Sequence, residues 1–384
     1  MKRTQHGMTL VEVLVAVAIG LIGILIITQA YLASDSYNRS TLGEGGAQTN
    51  GTIALYTVQR DVRMAGYGMA DSRALGCGNI NWYYNGNYSG NIAGGTLPNL
   101  TLAPVLITTA AGTPDTITIM YSSDANRMVP GTLTKPMPDP SAEFNVDGTA
   151  GFEAGDLVLL VNNSSPVSCT LEQLTTVQTS AAKIQHNPGA SAPYNPPGGG
   201  SLFPAYSTND LLFNLGNPIV HSYSVVKTDA TCTSGCQASL RLTDAILQSG
   251  GGTPYDLLDG IVDLKAQYGK DNGVNNSTVS QTTYTANDGI VDSYDSTTPA
   301  NGAEWQQVIA VRLAVLARVG NYEKPATAGG NCTATTTMPT WSGSGSGAPF
   351  NAIDVTTATS QDRCYKYRVF ETVVPLRNMI WRLS

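Results

Sequence analysis

The chain has 384 residues, 42% hydrophobic and only 13% charged, with 40 glycines and 20 prolines. That length fits one large domain or two small ones. With 28 acidic and 21 basic side chains the formal net charge is −7 at neutral pH. A groove for phosphates needs clustered cations, which this sequence lacks, so nucleic acid is not an expected partner.

Lys2 and Arg3 open a short polar leader that ends at His6 and Gly7; MTLVE then leads into an unbroken apolar run. A secretory signal peptide carries its apolar region before the cleavage site and loses it on cleavage. Here the apolar region follows the one plausible processing point, Gly7/Met8, and would stay with the mature chain. No charged residue occurs from Val13 to Ser34. About 22 helical residues at about 1.5 Å each span roughly 33 Å, enough to cross a bilayer core. The basic leader predicts a cytoplasmic N-terminus with everything beyond the span outside. Glu12 is the anomaly, because a carboxylate near the end of an apolar helix implies a partner. Ala16, Gly20 and Gly23 supply a surface of small residues on which membrane helices pack closely.

Beyond the span, Gly43, Gly45, Gly46 and Gly51 each cost a helix about 1 kcal/mol relative to Ala, which predicts an interruption over 41–51. A helical pattern resumes with Leu55, Val58, Val62 and Ala65 on one face and stops at Gly66-Tyr67-Gly68. It reads as an amphipathic helix packed on a globular domain. The middle of the chain reads as strands: DTITIMYS (115–122), DLVLLVN (156–162), IVHSYSVV (219–226) and ASLRLT (238–243) are short, rich in β-branched residues and bounded by turn formers. NPGASAPYNPPGGG (187–200) suits neither a helix interior nor a central strand and is expected as an exposed loop; GSGSGAP (343–349) is a second flexible segment.

All six cysteines, Cys77, Cys169, Cys232, Cys236, Cys332 and Cys364, lie past the apolar run. An even number in an exported region predicts disulfides. Cys232 and Cys236 enclose a Ser-Gly turn signal and are expected to close a small loop. Proximity favours Cys332 with Cys364, which leaves Cys77 with Cys169. Zinc would need four ligands, and there are only three histidines. Of these, His186 and His221 stand far apart with no accompanying catalytic motif, so catalysis is not expected. Asp271, Asp288, Asp292 and Asp295 lie near two turn glycines and suggest oxygen ligands for calcium, but their spacing misses the EF-hand pattern and ordinary Asp-Gly turns remain the alternative.

The run GMTLVE followed by VLVAVAIGLIGILII resembles the class III leader of type IV pilins and of the pseudopilins of type II secretion. The resemblance implies cleavage after Gly7 by a prepilin peptidase, N-methylation of Met8, and pairing of Glu12 with the N-terminal amine of a neighbouring subunit during assembly. A buried carboxylate facing an ammonium can stay ionised, which suits that role. Such chains commonly begin with Phe where this one has Met8. RDVRMAGYG (60–68), Trp305 ahead of VIAVRLAVLAR, and the closing YKYRVFETVVPLRNMIW resemble PilW-type minor pilins, and the Trp305 segment also resembles J-type pseudopilins.

The resemblance implies an α+β, pilin-like fold: a long N-terminal helix packed on an antiparallel sheet with large loop-rich insertions. It divides the chain into a cleaved leader (1–7), a transmembrane assembly helix (8–34), its continuation with the glycine interruption (35–68) and a β-rich domain in the periplasm or outside (69–384). Loss of Lys2 and Arg3 with the leader takes the formal charge from −7 to −9. The implied role is a minor pilin that primes pilus assembly and sits at or near the tip. Its partners would be other minor pilins, the major pilin, the prepilin peptidase and a PilY-type adhesin, in the inner membrane before assembly and in a filament serving adhesion or twitching afterwards. The rivals are a J-type pseudopilin of type II secretion and an adhesin or extracellular enzyme on a pilin anchor.

Overall fold

The computed structural model describes residues 9–68, 71, 73–78, 80–90, 92–122, 129–137, 143–162, 167–197, 203–244, 254–327, 329–346 and 349–380. Helix α1 (Leu10–Met64) is a single element of 55 residues, about 80 Å long at 1.5 Å per residue. The interruption expected over 41–51 does not occur. Its physical reason lies in packing: a Cβ on Gly51 would overlap the ring of Phe370, and one on Gly43 would lie 3.1 Å from Val319 and Asn321. These two glycines let the helix backbone settle onto the sheet, and close packing outweighs their poor helix propensity. Gly45 and Gly46 face open space. The helix ends where Gly66 takes φ +75°, a left-handed conformation that other residues rarely adopt, and where its N–H donates to the Met120 carbonyl.

Nineteen strands follow among the described residues. The first twelve are β1 (Ile80–Asn81), β2 (Tyr83–Tyr84), β3 (Asn87–Tyr88), β4 (Val105–Thr108), β5 (Thr116–Ser122), β6 (Gly131–Thr132), β7 (Phe144–Asn145), β8 (Leu157–Val161), β9 (Cys169–Gln173), β10 (Thr176–Gln178), β11 (Lys183–Gln185) and β12 (Leu211–Gly216). The remainder are β13 (Pro218–Lys227), β14 (Ala238–Asp244), β15 (Tyr255–Asp259), β16 (Ile261–Lys270), β17 (Ser293–Asp295), β18 (Val308–Arg318) and β19 (Tyr367–Pro375). Two short helices, α2 (Gly302–Gln306) and α3 (Arg377–Ile380), flank β18 and β19 in sequence.

The three largest sheets form the framework. An upper sheet runs β15-β14-β13-β5-β4 and a terminal sheet β17-β16-β18-β19, both antiparallel throughout; an inserted sheet runs β1-β9-β8-β12-β6, with only β1 and β9 parallel. The lower half of α1 buries Ala47, Ala54, Val58, Val62 and Ala65 in one core with Ile117 and Leu240 of the upper sheet and Leu264, Leu313 and Val315 of the terminal sheet. All eleven residues of β18 are buried. The helix side covers one face, and Trp341, Phe350, Ile353 and Val355 cover the other. Two-sided burial is why this strand reads as a nearly continuous apolar run and not as an alternating one.

The inserted sheet carries separate cores of its own, one including Trp82, Leu159 and Phe213, the other Phe144, Leu160 and Leu212. The loop expected to be exposed at 187–200 is exposed at 187–191 and at Pro197 and is clamped between them. Ala192, Tyr194 and Asn195 are buried, and Asn195 exchanges hydrogen bonds with the backbone of Gln173, 2.8 Å from its N–H and 2.7 Å from its carbonyl. Proline and glycine ruled out regular structure there, but a side-chain amide completed the edge of β9 in its place. Disulfides join Cys77 to Cys169, Cys232 to Cys236 and Cys332 to Cys364.

Candidate functional site

The free half of α1 begins with a capping box. Thr9 caps the helix: its Oγ1 accepts from the Glu12 N–H at 3.3 Å, while the Glu12 carboxylate accepts from the Thr9 N–H at 3.0 Å and from its hydroxyl at 3.1 Å. Glu12 is thus held by its own first turn, with its carboxylate at the exposed helix end. Leu10, Leu14, Ile19, Ile22, Ile26 and Leu32 are all exposed, and none of the most apolar stretch of α1 is covered by the rest of the chain. Burying a single Leu or Ile side chain is worth about 1.5–3 kcal/mol, so a bare stretch of this length requires lipid or other helices around it. Gly7 and Met8 lie outside the described residues.

The seated half is fastened by polar groups as well as by its apolar stripe. Asp61 is 1% exposed. Its Oδ2 accepts from the Tyr223 hydroxyl at 2.6 Å and lies 2.6 Å from His221 Nδ1, and Arg60 Nε sits 3.4 Å from Oδ1. Burial raises the Asp61 pKa, but the contacts with His221 and Tyr223 and the charge of Arg60 together outweigh it, leaving the carboxyl below its ordinary value. Burial and the adjacent carboxylate push the Tyr223 hydroxyl well up. Farther along, Asn378 Nδ2 donates to the Met64 and Ala65 carbonyls at 3.1 and 3.0 Å, satisfying groups that the helix end leaves open. Arg368 and Lys366 of the closing segment reach Glu44 at 3.4 and 3.8 Å.

The sequence singled out RDVRMAGYG as a block without assigning Asp61 a role. A signal was available: Asp61 falls three residues after Val58 and next to Val62, on the buried stripe, where a carboxylate must find partners. From the sequence, His221 reads only as a catalytic candidate. It pairs with Asp61, whereas His186 pairs with Glu172 at 2.7 Å and stacks on Phe144 at 4.1 Å in the inserted sheet. The fold does not bring the two histidines together.

The calcium candidates do not form a cage. Asp271 accepts from the N–H groups of Asp288 and Gly289 at 3.3 and 2.7 Å, Asp292 accepts from the Gly273 N–H at 2.6 Å, and Asp295 pairs with Lys270 at 2.7 Å. Asp288 accepts from the Ile290 N–H at 2.9 Å. Backbone amides and an ammonium thus hold these carboxylates, with Asp292 Oδ1 left without a hydrogen-bond partner, and among the described residues no three acidic, histidine or cysteine side chains converge to hold a metal ion. The aspartates bind the 271–295 connection to itself.

Comparison with known proteins gives two matches at opposite ends of this geometry. Residues 2–28 match the family model of the prokaryotic N-terminal methylation motif, and residues 223–378 match that of type IV pilus-assembly protein W. The first covers the leader junction, Glu12 and most of the bare helix; the second begins at Tyr223, the Asp61 partner, and ends at Asn378, which caps α1. No curated protein and no solved structure matches. The motif and the bare apolar helix together fit a membrane-anchored pilin of the pilus-assembly class, whose partners are in general other pilins and the prepilin peptidase.

Proposed function

From a chain that carries a type IV pilus-assembly protein W domain behind a prokaryotic N-terminal methylation motif, we infer a minor pilin that primes type IV pilus assembly and sits at or near the filament tip. The carrying observation is the division of α1: its lower half is buried on the PilW-type domain while its upper half presents uncovered apolar side chains. Such a helix gains its missing contacts first from the membrane and then from the helices of neighbouring subunits. The function is association and not turnover. Cleavage after Gly7 would free the amine of Met8, and Glu12 of the next subunit would exchange its capping-box donors for that ammonium, a charge-assisted contact in an apolar setting. With the anchor in the inner membrane and the remainder in the periplasm, the domain would travel to the surface with the pilus and present a PilY-type adhesin.

Deleting the gene and scoring surface pili together with protein secretion tests this reading. Lost pili with intact secretion are expected; intact pili with failed secretion would reassign the chain to a secretion pseudopilin. Glu12→Ala is expected to leave processing intact and to abolish complementation of the deletion, and normal piliation in that strain would remove the role of Glu12.

A further inference from the structure

A second cluster of charges is buried at β16 and the entrance of β5. Lys265 is 2% exposed, Asp115 2% and Asp263 0%. Lys265 Nζ lies 3.2 Å from Asp115 Oδ1 and 3.8 Å from Asp263 Oδ1, and donates to the Thr113 carbonyl at 2.8 Å. Two carboxylates thus share one ammonium, and Asp263 Oδ1 has no hydrogen-bond partner. As an ion cluster this arrangement is a poor source of stability, because desolvating three charges costs more than one ammonium returns. As a reaction geometry it brings an amine, a carboxyl and a second carboxylate together in one dry site. β17 pairs only with Tyr268–Lys270 of β16, which leaves the strand edge at 264–266 to Asp115. The Asp115 N–H donates to the Leu264 carbonyl at 2.8 Å, and its Oδ2 accepts from the Ala266 N–H at 3.0 Å. The carboxyl is therefore fixed with one oxygen polarised by a backbone N–H and the other facing the amine.

We propose that Lys265 and Asp115 condense to an intramolecular isopeptide bond, Nζ to Cγ, with Asp263 as the proton relay. A proton passes from the Lys265 ammonium to the Asp115 carboxylate, and the freed amine attacks Cγ, forming the C–N bond. The Ala266 N–H stabilises the negative charge on Oδ2. Asp263 takes the next proton from nitrogen and returns it to the departing hydroxyl; the C–O bond breaks and one water leaves. The two opposite charges vanish as a pair, Asp263 ends as it began, and no oxidant or nucleotide is consumed. Burial pushes the Asp263 carboxyl up to about 6, which lets it take and give a proton near neutral pH. Preorganisation of amine and carboxyl in one dry site supplies the effective concentration that free side chains lack. The bond would tie the entrance of β5 to β16 across 150 residues of sequence, linking the upper sheet covalently to the terminal sheet.

Mass spectrometry of the full chain purified from membranes decides it. The wild-type mass is expected to fall one water below that of the processed chain with three disulfides, and proteolysis is expected to yield a branched peptide joining Asp115 to an uncleaved Lys265. Lys265→Arg and Asp115→Ala are expected to restore the missing water, and Asp263→Asn to leave the bond unformed or incomplete. A wild-type mass with no deficit, or a deficit that maps to any other pair, would overturn the proposal, whether or not the variants fold.

Discussion

At the residue scale, Asp61 is the side chain on which the seat of α1 depends most. It is the one carboxylate in the buried stripe of the helix, and it receives Tyr223 and His221 from β13. Removing one partner from such a group leaves the others desolvated and unpaired, so Asp61→Ala is expected to cost about 3 kcal/mol, read as a lower denaturant midpoint of the full chain in detergent micelles. Tyr223→Phe removes a single hydroxyl donor and should cost about 1 kcal/mol. The pH dependence has a definite sign. The folded carboxyl lies below its ordinary value of 3.8, so its contribution is fully present above that value and disappears as pH falls through the lower, folded one. The titratable groups facing it are His221, Tyr223, Tyr121 and Arg60. The stability gap between wild type and Asp61→Asn is therefore expected to narrow as pH falls below 3.8; a gap that widens there would contradict the assignment.

At the scale of the element, the four glycines between residues 43 and 51 of α1 separate into two kinds that sequence alone could not distinguish. Gly51 lies under Phe370, whereas Gly45 has no neighbour within 4 Å. Gly45→Ala is expected to stabilise the chain by up to about 1 kcal/mol through helix propensity. Gly51→Ala gains the same propensity but forces the helix off β19, an overpacking cost of about 1–3 kcal/mol, and is expected to lower the thermal midpoint. Combining it with Phe370→Leu should recover most of the loss, and additivity of the two changes would refute the contact. The helix runs uninterrupted because the sheet that Gly43 and Gly51 approach outweighs their backbone cost. The apolar span and the strands at 116–122, 157–161, 218–227 and 238–244 were legible, since hydrophobic pattern and turn formers agree there. β16 shows where legibility ends: Asp263, Lys265 and Gln267 alternate in the strand as if facing water, yet the face is roofed by a segment roughly 80 residues later. Asp263 accepts from the N–H groups of Asn351 and Ala352, and Gln267 donates to the Gly343 carbonyl. No local pattern announces a cover that arrives from so far along the chain.

At the scale of the whole molecule, residues 223–378, which match the pilus-assembly family model, pack with α1, and a further sheet stands in the connection between the two. Residues 223–378, strands β4 and β5 and α1 share one core, while the inserted sheet has another, which Met120 and Val220 join to the upper sheet. Cys77–Cys169 is the covalent tie between the end of the α1 connection and that insert, at a separation of 92 residues; Cys332–Cys364 and Cys232–Cys236 span 32 and 4 within the matched region. In the chain-entropy account these closures are worth about 4.5, about 3.5 and about 2 kcal/mol. Replacing Cys77 and Cys169 together by Ser should therefore be the most destabilising of the three paired substitutions. Its effect should also be local, because Trp82, Ile80 and Leu171 around that bridge belong to the core of the insert and not to the core under α1. Limited proteolysis is expected to cut first within 131–216 in the Cys77→Ser, Cys169→Ser chain, with the helix, strands β4 and β5 and residues 223–378 remaining together as a resistant core. First cleavage inside the terminal sheet would instead mean that the insert and the assembly domain unfold as one unit.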